Sequence, residues 1–231
     1  PEKMREVDIA ALEHACTVIS LELVKEQAIF EAQETINGEL IDVLFSGKMD
    51  GNILQKVKQL DFDPLADYLV VMIRLDDMEN NHKKNSIIRH LVQMANRVFL
   101  KSPLKGMAVR NHDQIVILLT FQQKVSAIYT HQRVKELVAK FQQEIQIKNW
   151  GTTVSIGIGR IHSSLLKVTK SMQEAAKCLQ FLQSFGGKNQ VISYKELGVQ
   201  RLLLQNTEEE LIDFIIEVLG PLFEYDQSRK G

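Results

Sequence analysis

From about Val7 to Thr35 the apolar residues Ile9, Leu12, Cys16, Ile19, Leu23 and Phe30 recur at alternating intervals of three and four, interrupted by Glu26. That spacing predicts one long amphipathic helix. Asn37-Gly38 is expected to break or kink it, before a short apolar segment from Glu39 to Phe45. A further helix is predicted from about Gly51 to Leu60, stopped by Asp63-Pro64 because proline cannot continue a helix. The period then changes. Tyr68 to Leu75 is a continuous β-favouring run, as expected of a central strand covered on both faces.

Asn80 or Asn81 can cap a helix to about Leu100 whose apolar face is Ile87, Ile88, Leu91, Met94, Ala95 and Val98. Met107–Arg110 and Gln114–Phe121 are strand-like and separated by Asn111-His112-Asp113, a break of hairpin length. There follow a helix from about Val125 to Ile147, a strand from Thr152 to Ile161, a helix from Ser163 or Ser164 to before Gly186-Gly187, and a short strand from Gln190 to Ser193. This order predicts an α+β domain with helices packed on a mainly antiparallel sheet. Beyond it Thr207-Glu208-Glu209-Glu210 has the form of a capping box, opening a helix through Leu211, Phe214, Ile215 and Val218 to Gly220-Pro221.

The 231 residues are 45% hydrophobic and 25% charged, an ordinary globular composition that argues against disorder. With 28 Lys+Arg against 29 Asp+Glu the formal charge is −1, so this chain lacks the basic excess of a phosphate-neutralising DNA reader. Cys16 and Cys178 have no cysteine or histidine at ligand spacing, which argues against a disulfide framework or a zinc site and fits a reducing cytoplasm. No run of residues is long and apolar enough to span a bilayer. The start at Pro1 points to a piece of a longer protein.

Nucleophile-elbow, paired-histidine zinc and paired-cysteine motifs do not occur in the sequence. No two of the six histidines are spaced to converge on one helix face. Gly157-Ile158-Gly159 lies inside a strand without the third glycine and Lys-Ser/Thr of a phosphate loop, and glycines so placed mark close backbone approach. Asp76-Asp77, at a strand end, is the most suggestive acidic pair for Mg2+, with a solvated turn as its plainer reading.

The order of elements resembles the GGDEF fold of nucleotide cyclases, with Arg74-Leu75-Asp76 where those enzymes carry a metal-binding Asp-x-Asp and Asn111-His112-Asp113-Gln114-Ile115 at the signature hairpin. Arg74 sets a positive charge where a metal carboxylate belongs, Asn111 and His112 fill the place of two glycines, and Gln114 removes an acid. Only Asp76 and Asp113 remain, which argues against two-metal activation of a ribose hydroxyl. Four further segments resemble the degenerate GGDEF-like module of PucR/CdaR transcription regulators: Gly38 to Gly47, Val154 to Arg160, Tyr194 to Leu204 and Leu219 to Asp226. The likeness spans about Ile36 to Asp226.

The resemblance implies a non-catalytic, signal-transmitting part of a cytoplasmic regulator. It implies neither metal nor cofactor, and DNA contact only through a C-terminal helix-turn-helix domain beyond Gly231. The implied divisions are a linker or dimerisation helix at 1–35, resembling the exit helix of a sensor domain, a helical connector at 36–66, the GGDEF-like domain at 67–196 and a C-terminal helical segment at 197–231. The long helix needs a cover for its stripe, either its two-fold mate, through Ile9, Leu12, Ile19 and Leu23, or the body of the same chain. Arg74, Asp76, Arg110, Asp113 and Arg160 are the candidate lining of a former nucleotide cleft able to hold a polar effector, with a structural salt-bridge network as the alternative. The competing functions are a divergent nucleotide cyclase and a small-molecule sensor without a DNA role.

Overall fold

A computed structural model describes residues 6–46, 62–77, 81–100, 105–121, 127–200, 216–218 and 220. The expected helix at 51–60 and the capping box at Thr207 lie outside these. So do parts of the segments Gly38 to Gly47, Tyr194 to Leu204 and Leu219 to Asp226.

Helix α1 (Glu6–Ser46) is 41 residues long, a rod of about 60 Å. It runs unbroken through Asn37-Gly38, where the sequence predicts a break, and across the expected division between 35 and 36. Asn37 is buried and its side chain accepts a hydrogen bond from Gln33, one turn earlier, at 2.9 Å. Bound along the helix, the amide does not compete for local backbone groups. Gly38 costs a helix about 1 kcal/mol relative to alanine, but burial of Leu40, Ile41 and Leu44 just after it contributes more. Phe30, Asn37, Leu40 and Leu44 continue the seven-residue spacing of Ile9, Leu12, Cys16, Ile19 and Leu23, yet only the later set is covered. Ile9 is 45%, Leu12 54%, Ile19 59% and Leu23 60% exposed, so the described body does not cover this part of the stripe.

The other elements are β1 (Asp67–Leu75), α2 (Asn81–Leu100), β2 (Lys105–Asn111), β3 (Gln114–Phe121), α3 (Ala127–Lys148), β4 (Val154–Ile158), β5 (His162–Ser163), a 3-10 turn at Leu165–Lys167, α4 (Val168–Ser184) and β6 (Val191–Ser193). The strands form a six-stranded sheet of order β2-β3-β1-β4-β6, with β5 also on β1. Every pairing is antiparallel except β4 with β6. This is the predicted α+β architecture.

Alternation along the strands divides the core. Leu69, Val71, Ile73 and Leu75 of β1, with Ile115, Ile117 and Leu119 of β3, face α2 and α3. Tyr68, Val70 and Met72 face the other way, onto Leu40, Ile41 and Leu44 of α1 and Val168, Ala175 and Leu179 of α4. Helices on both faces explain why β1 reads as an unbroken apolar run. The edge strand β2 is closed by a side chain. Asn96 of α2 accepts from Ala108 N at 2.7 Å and donates to Ala108 O at 3.0 Å, occupying the groups with which another strand would pair.

The strand predicted over 152–161 is split in two. Gly159 N donates to Val70 O at 2.9 Å, but Val70 N donates instead to Ser171 Oγ at 2.8 Å, and that hydroxyl donates to Arg160 O at 2.7 Å. A serine of α4 is thus inserted in the ladder, and residues 159–161 bulge around it. The same helix sits directly on the glycines. A Cβ at Gly157 would lie 2.3 Å from Ala175 O, and one at Gly159 would lie 2.1 Å from Ser171 O. The Gly157-Ile158-Gly159 signal therefore reflects helix-on-strand packing.

Candidate functional site

The chemistry-bearing residues gather where β1 ends. Register pairs Arg74 with Gln114, so the two-residue turn His112-Asp113 projects from the same end of the sheet as Asp76. His112 turns the chain with a left-handed φ of 51°.

Asp76 is 5% exposed and engaged by protein donors. Its Oδ1 accepts from Ser155 Oγ at 2.8 Å, and its Oδ2 accepts from Thr153 Oγ1 at 2.8 Å and Asn189 N at 2.9 Å. One carboxylate thus joins the end of β1, the start of β4 and the loop after α4. Gln142 and Gln146 both donate to Asn189 Oδ1, at 3.1 and 2.9 Å, and extend the network to α3. Asp77 turns outward with φ 48° and pairs with Lys188 at 2.6 Å. Asp76, Asp77, Gln146, Asn149, Gly151, Thr152 and Thr153 line a shallow depression of about 340 Å³. Among the described residues no group of three or more His, Cys, Asp or Glu is placed to hold a metal ion.

Arg74 lies on the same face as Asp76 but points along α4, donating to Gln183 Oε1 at 2.7 Å and Leu179 O at 3.3 Å. Arg110 braces the hairpin, its Nε donating to His112 O at 2.8 Å and its Nη2 to Asn85 Oδ1 at 2.7 Å. Asp113 pairs with Lys84 at 2.7 Å, and the hydrogen bond and charge of that ammonium hold its carboxyl below its ordinary range. Arg110 and Asp113 are thus tied to the first turns of α2, apart from the partners of Asp76.

Arg160 does not join the other four. It lies beside Val70, in the opposite half of β1, because β4 runs antiparallel to β1 and Arg160 comes two residues after the end of β4. There its backbone N, Nε and Nη2 donate to the buried carboxylate of Glu174 at 2.8, 2.8 and 2.5 Å, and its guanidinium lies 5.1 Å from the Tyr194 ring centre. His162 Nε2 is 3.2 Å from the same carboxylate. The five candidates therefore fall into separate hydrogen-bonded clusters.

Burial opposes ionisation of Glu174, but the donors of Arg160 and His162 together outweigh it and hold the carboxyl below its ordinary 4.5. A depressed carboxyl contributes stability that is complete above 4.5 and is lost as pH falls through the lowered value. Urea midpoints are expected to fall more steeply below pH 4.5 in the wild-type protein than in Glu174→Gln; equal slopes would show that this carboxylate carries no such linkage.

Sequence reasoning missed a second polar cluster. His131 and Lys135, one turn apart on α3, reach Ser193 and Glu196 at the end of β6. Their spacing was visible, but their partners lie some sixty residues away and only the fold brings them together. Glu174 was missed for the same reason.

A GGDEF-like domain model matches residues 46–181, more than half of the chain. The chain belongs to the GGDEF-like domain family. No curated protein matches it. Among solved structures, this GGDEF-like chain is similar to the coiled coil and GGDEF domain of DgcB from Caulobacter crescentus in complex with c-di-GMP. That match has 14% identity and a TM-score of 0.42, over 79% of this chain and 99% of that one. The GGDEF domain of DgcB alone, also with c-di-GMP, matches at 16% identity and TM-score 0.42, over 67% and 87%. A regulator of polyketide synthase expression from Bifidobacterium adolescentis matches at 10% identity and TM-score 0.39, over 65% and 54%.

Proposed function

We propose that this GGDEF-like chain is the regulatory, non-catalytic part of a cytoplasmic transcription regulator of the PucR/CdaR type. In this reading it acts as a homodimer and reaches DNA through a separate C-terminal domain. The observation that carries the non-catalytic reading is the state of Asp76. A carboxylate that accepts three hydrogen bonds from Thr153, Ser155 and Asn189 is committed to holding β1, β4 and the 189 loop together, and a metal ion would have to displace those donors. The guanidinium of Arg74 two residues earlier adds a fixed charge of the wrong sign for a divalent cation.

Dimerisation through Ile9, Leu12, Ile19 and Leu23 is supported by their exposure along a stripe of seven-residue spacing that the described body does not cover. Sedimentation at tens of micromolar is expected to show a dimer that Leu12→Glu converts to monomer, and a strict wild-type monomer would remove this part of the reading. Incubation with GTP or ATP and Mg2+ or Mn2+ is expected to give no cyclic product. Turnover abolished by Asp76→Asn, measured where that variant is still folded, would establish an enzyme instead. A thermal-shift screen with nucleotides, purine metabolites and sugar acids addresses the effector, since a ligand that binds only the folded chain raises its melting temperature. Arg110 and Asp113, at the exposed hairpin, are the contacts to mutate for any compound that does so.

A further inference from the structure

Two side chains of α3 clamp the end of β6. His131 Nε2 lies 2.9 Å from Ser193 Oγ, and Lys135 Nζ pairs with Glu196 Oε1. The other carboxylate oxygen of Glu196 accepts from Ser193 N at 2.9 Å, and Glu196 N donates to Ser193 O at 2.8 Å, closing a tight turn. Besides this clamp the segment has few backbone ties. β6 pairs with β4 alone over three residues, and the turn beyond it adds Tyr194 N to Ile158 O at 2.8 Å, the Arg160 guanidinium over the Tyr194 ring, and a small cluster of Cys178, Tyr194 and Leu197.

The imidazole is the vulnerable member. Its Nδ1 is buried and has no hydrogen-bond partner among the described residues. A neutral ring tolerates this by presenting a bare lone pair there, but a protonated ring carries N–H on both nitrogens and strands a donor. The surroundings discourage a second charge. Lys135 lies on α3 itself, Lys195 and Glu196 face the ring from the turn, and Glu196 is already engaged by Lys135 and Ser193 N. No residue of β4 between Val154 and Ile158 is titratable, and Glu174 on α4 is committed to Arg160 and His162.

We infer that His131 is a proton-operated latch: neutral, it pins the Ser193–Glu196 turn to α3, and its protonation releases that turn while the rest of the sheet stays formed. Burial, then Lys195 and Lys135, set the His131 ring below its ordinary 6.5. A depressed histidine favours the closed form fully above 6.5 and loses that contribution as pH falls from 6.5 toward the lowered value.

Amide hydrogen exchange on the full chain between pH 8 and 5, corrected for intrinsic rates, tests this. Protection at Ser193, Tyr194 and Glu196 is expected to fall by up to about ten-fold per pH unit below 6.5, the slope of a single linked proton. The amides of β1 and β3 are expected to keep theirs. In His131→Gln, which stays neutral, the slope at the turn disappears. Should that variant fail to fold, the imidazole NMR titration of the wild-type protein decides alone, with an expected midpoint below 6.5, at the pH where the loss of protection levels off. Protection independent of pH, an unchanged slope in His131→Gln, or a midpoint at or above 6.5 would overturn the inference.

Discussion

Replacing Gly157 by alanine is expected to lower the stability of this protein by about 1–3 kcal/mol, and Gly159→Ala by at least as much. At each position the added methyl would meet a helix carbonyl, Ala175 O at 2.3 Å or Ser171 O at 2.1 Å, and a backbone oxygen cannot rotate away as a side-chain tip can. The helix α4 must lift from the sheet. At Gly159 the displacement also strains Ser171, whose hydroxyl bridges Val70 N and Arg160 O. Gly38→Ala supplies the contrasting sign, because nothing lies within 4 Å of its missing Cβ and it sits in mid-helix. There alanine is expected to stabilise by up to about 1 kcal/mol. Urea denaturation followed by circular dichroism, with unchanged slopes and shifted midpoints, measures all three. Midpoints of Gly157→Ala and Gly159→Ala equal to wild type would show that the helix is not seated as described.

Asp76→Ala is expected to cost about 3 kcal/mol, since it leaves the buried Ser155 hydroxyl, the Thr153 hydroxyl and the Asn189 amide without their acceptor. Water can reach the Thr153 hydroxyl and the amide of exposed Asn189; the Ser155 hydroxyl is fully buried and bears most of the loss. The neighbouring acid makes the comparison sharp. Asp77 is exposed and paired with Lys188, and Asp77→Asn, which preserves a side chain tolerant of its left-handed backbone, is expected to change stability by less than about 1 kcal/mol. Similar melting temperatures for Asp76→Ala and wild type would remove the structural role assigned to this carboxylate.

The sheet was legible in the sequence because β1, β3 and the faces of α2 and α4 carry periods that burial enforces. Where the prediction failed, a tertiary contact had overruled a local rule. Gly38 looks like a helix end, but the packing of Leu40, Ile41 and Leu44 on the sheet outweighs its cost. The stretch 152–161 reads as a single strand, but Ser171 enters the ladder from α4 and divides it. The candidate site was less legible still. Strand direction alone moves Arg160 away from Asp76, and hydrogen bonds to Thr153, Ser155 and Asn189 cannot be read from the spacing of those residues.

A rigid shaft transmits torsion, and α1 has that form. Its uncovered turns and its seated turns share one helical phase, so a partner that grips Ile9 to Leu23 and twists them must also swing Leu40 and Leu44 out of their sockets beneath the sheet. With no break at Gly38 to absorb the motion, rotation of the uncovered turns becomes work done on the core.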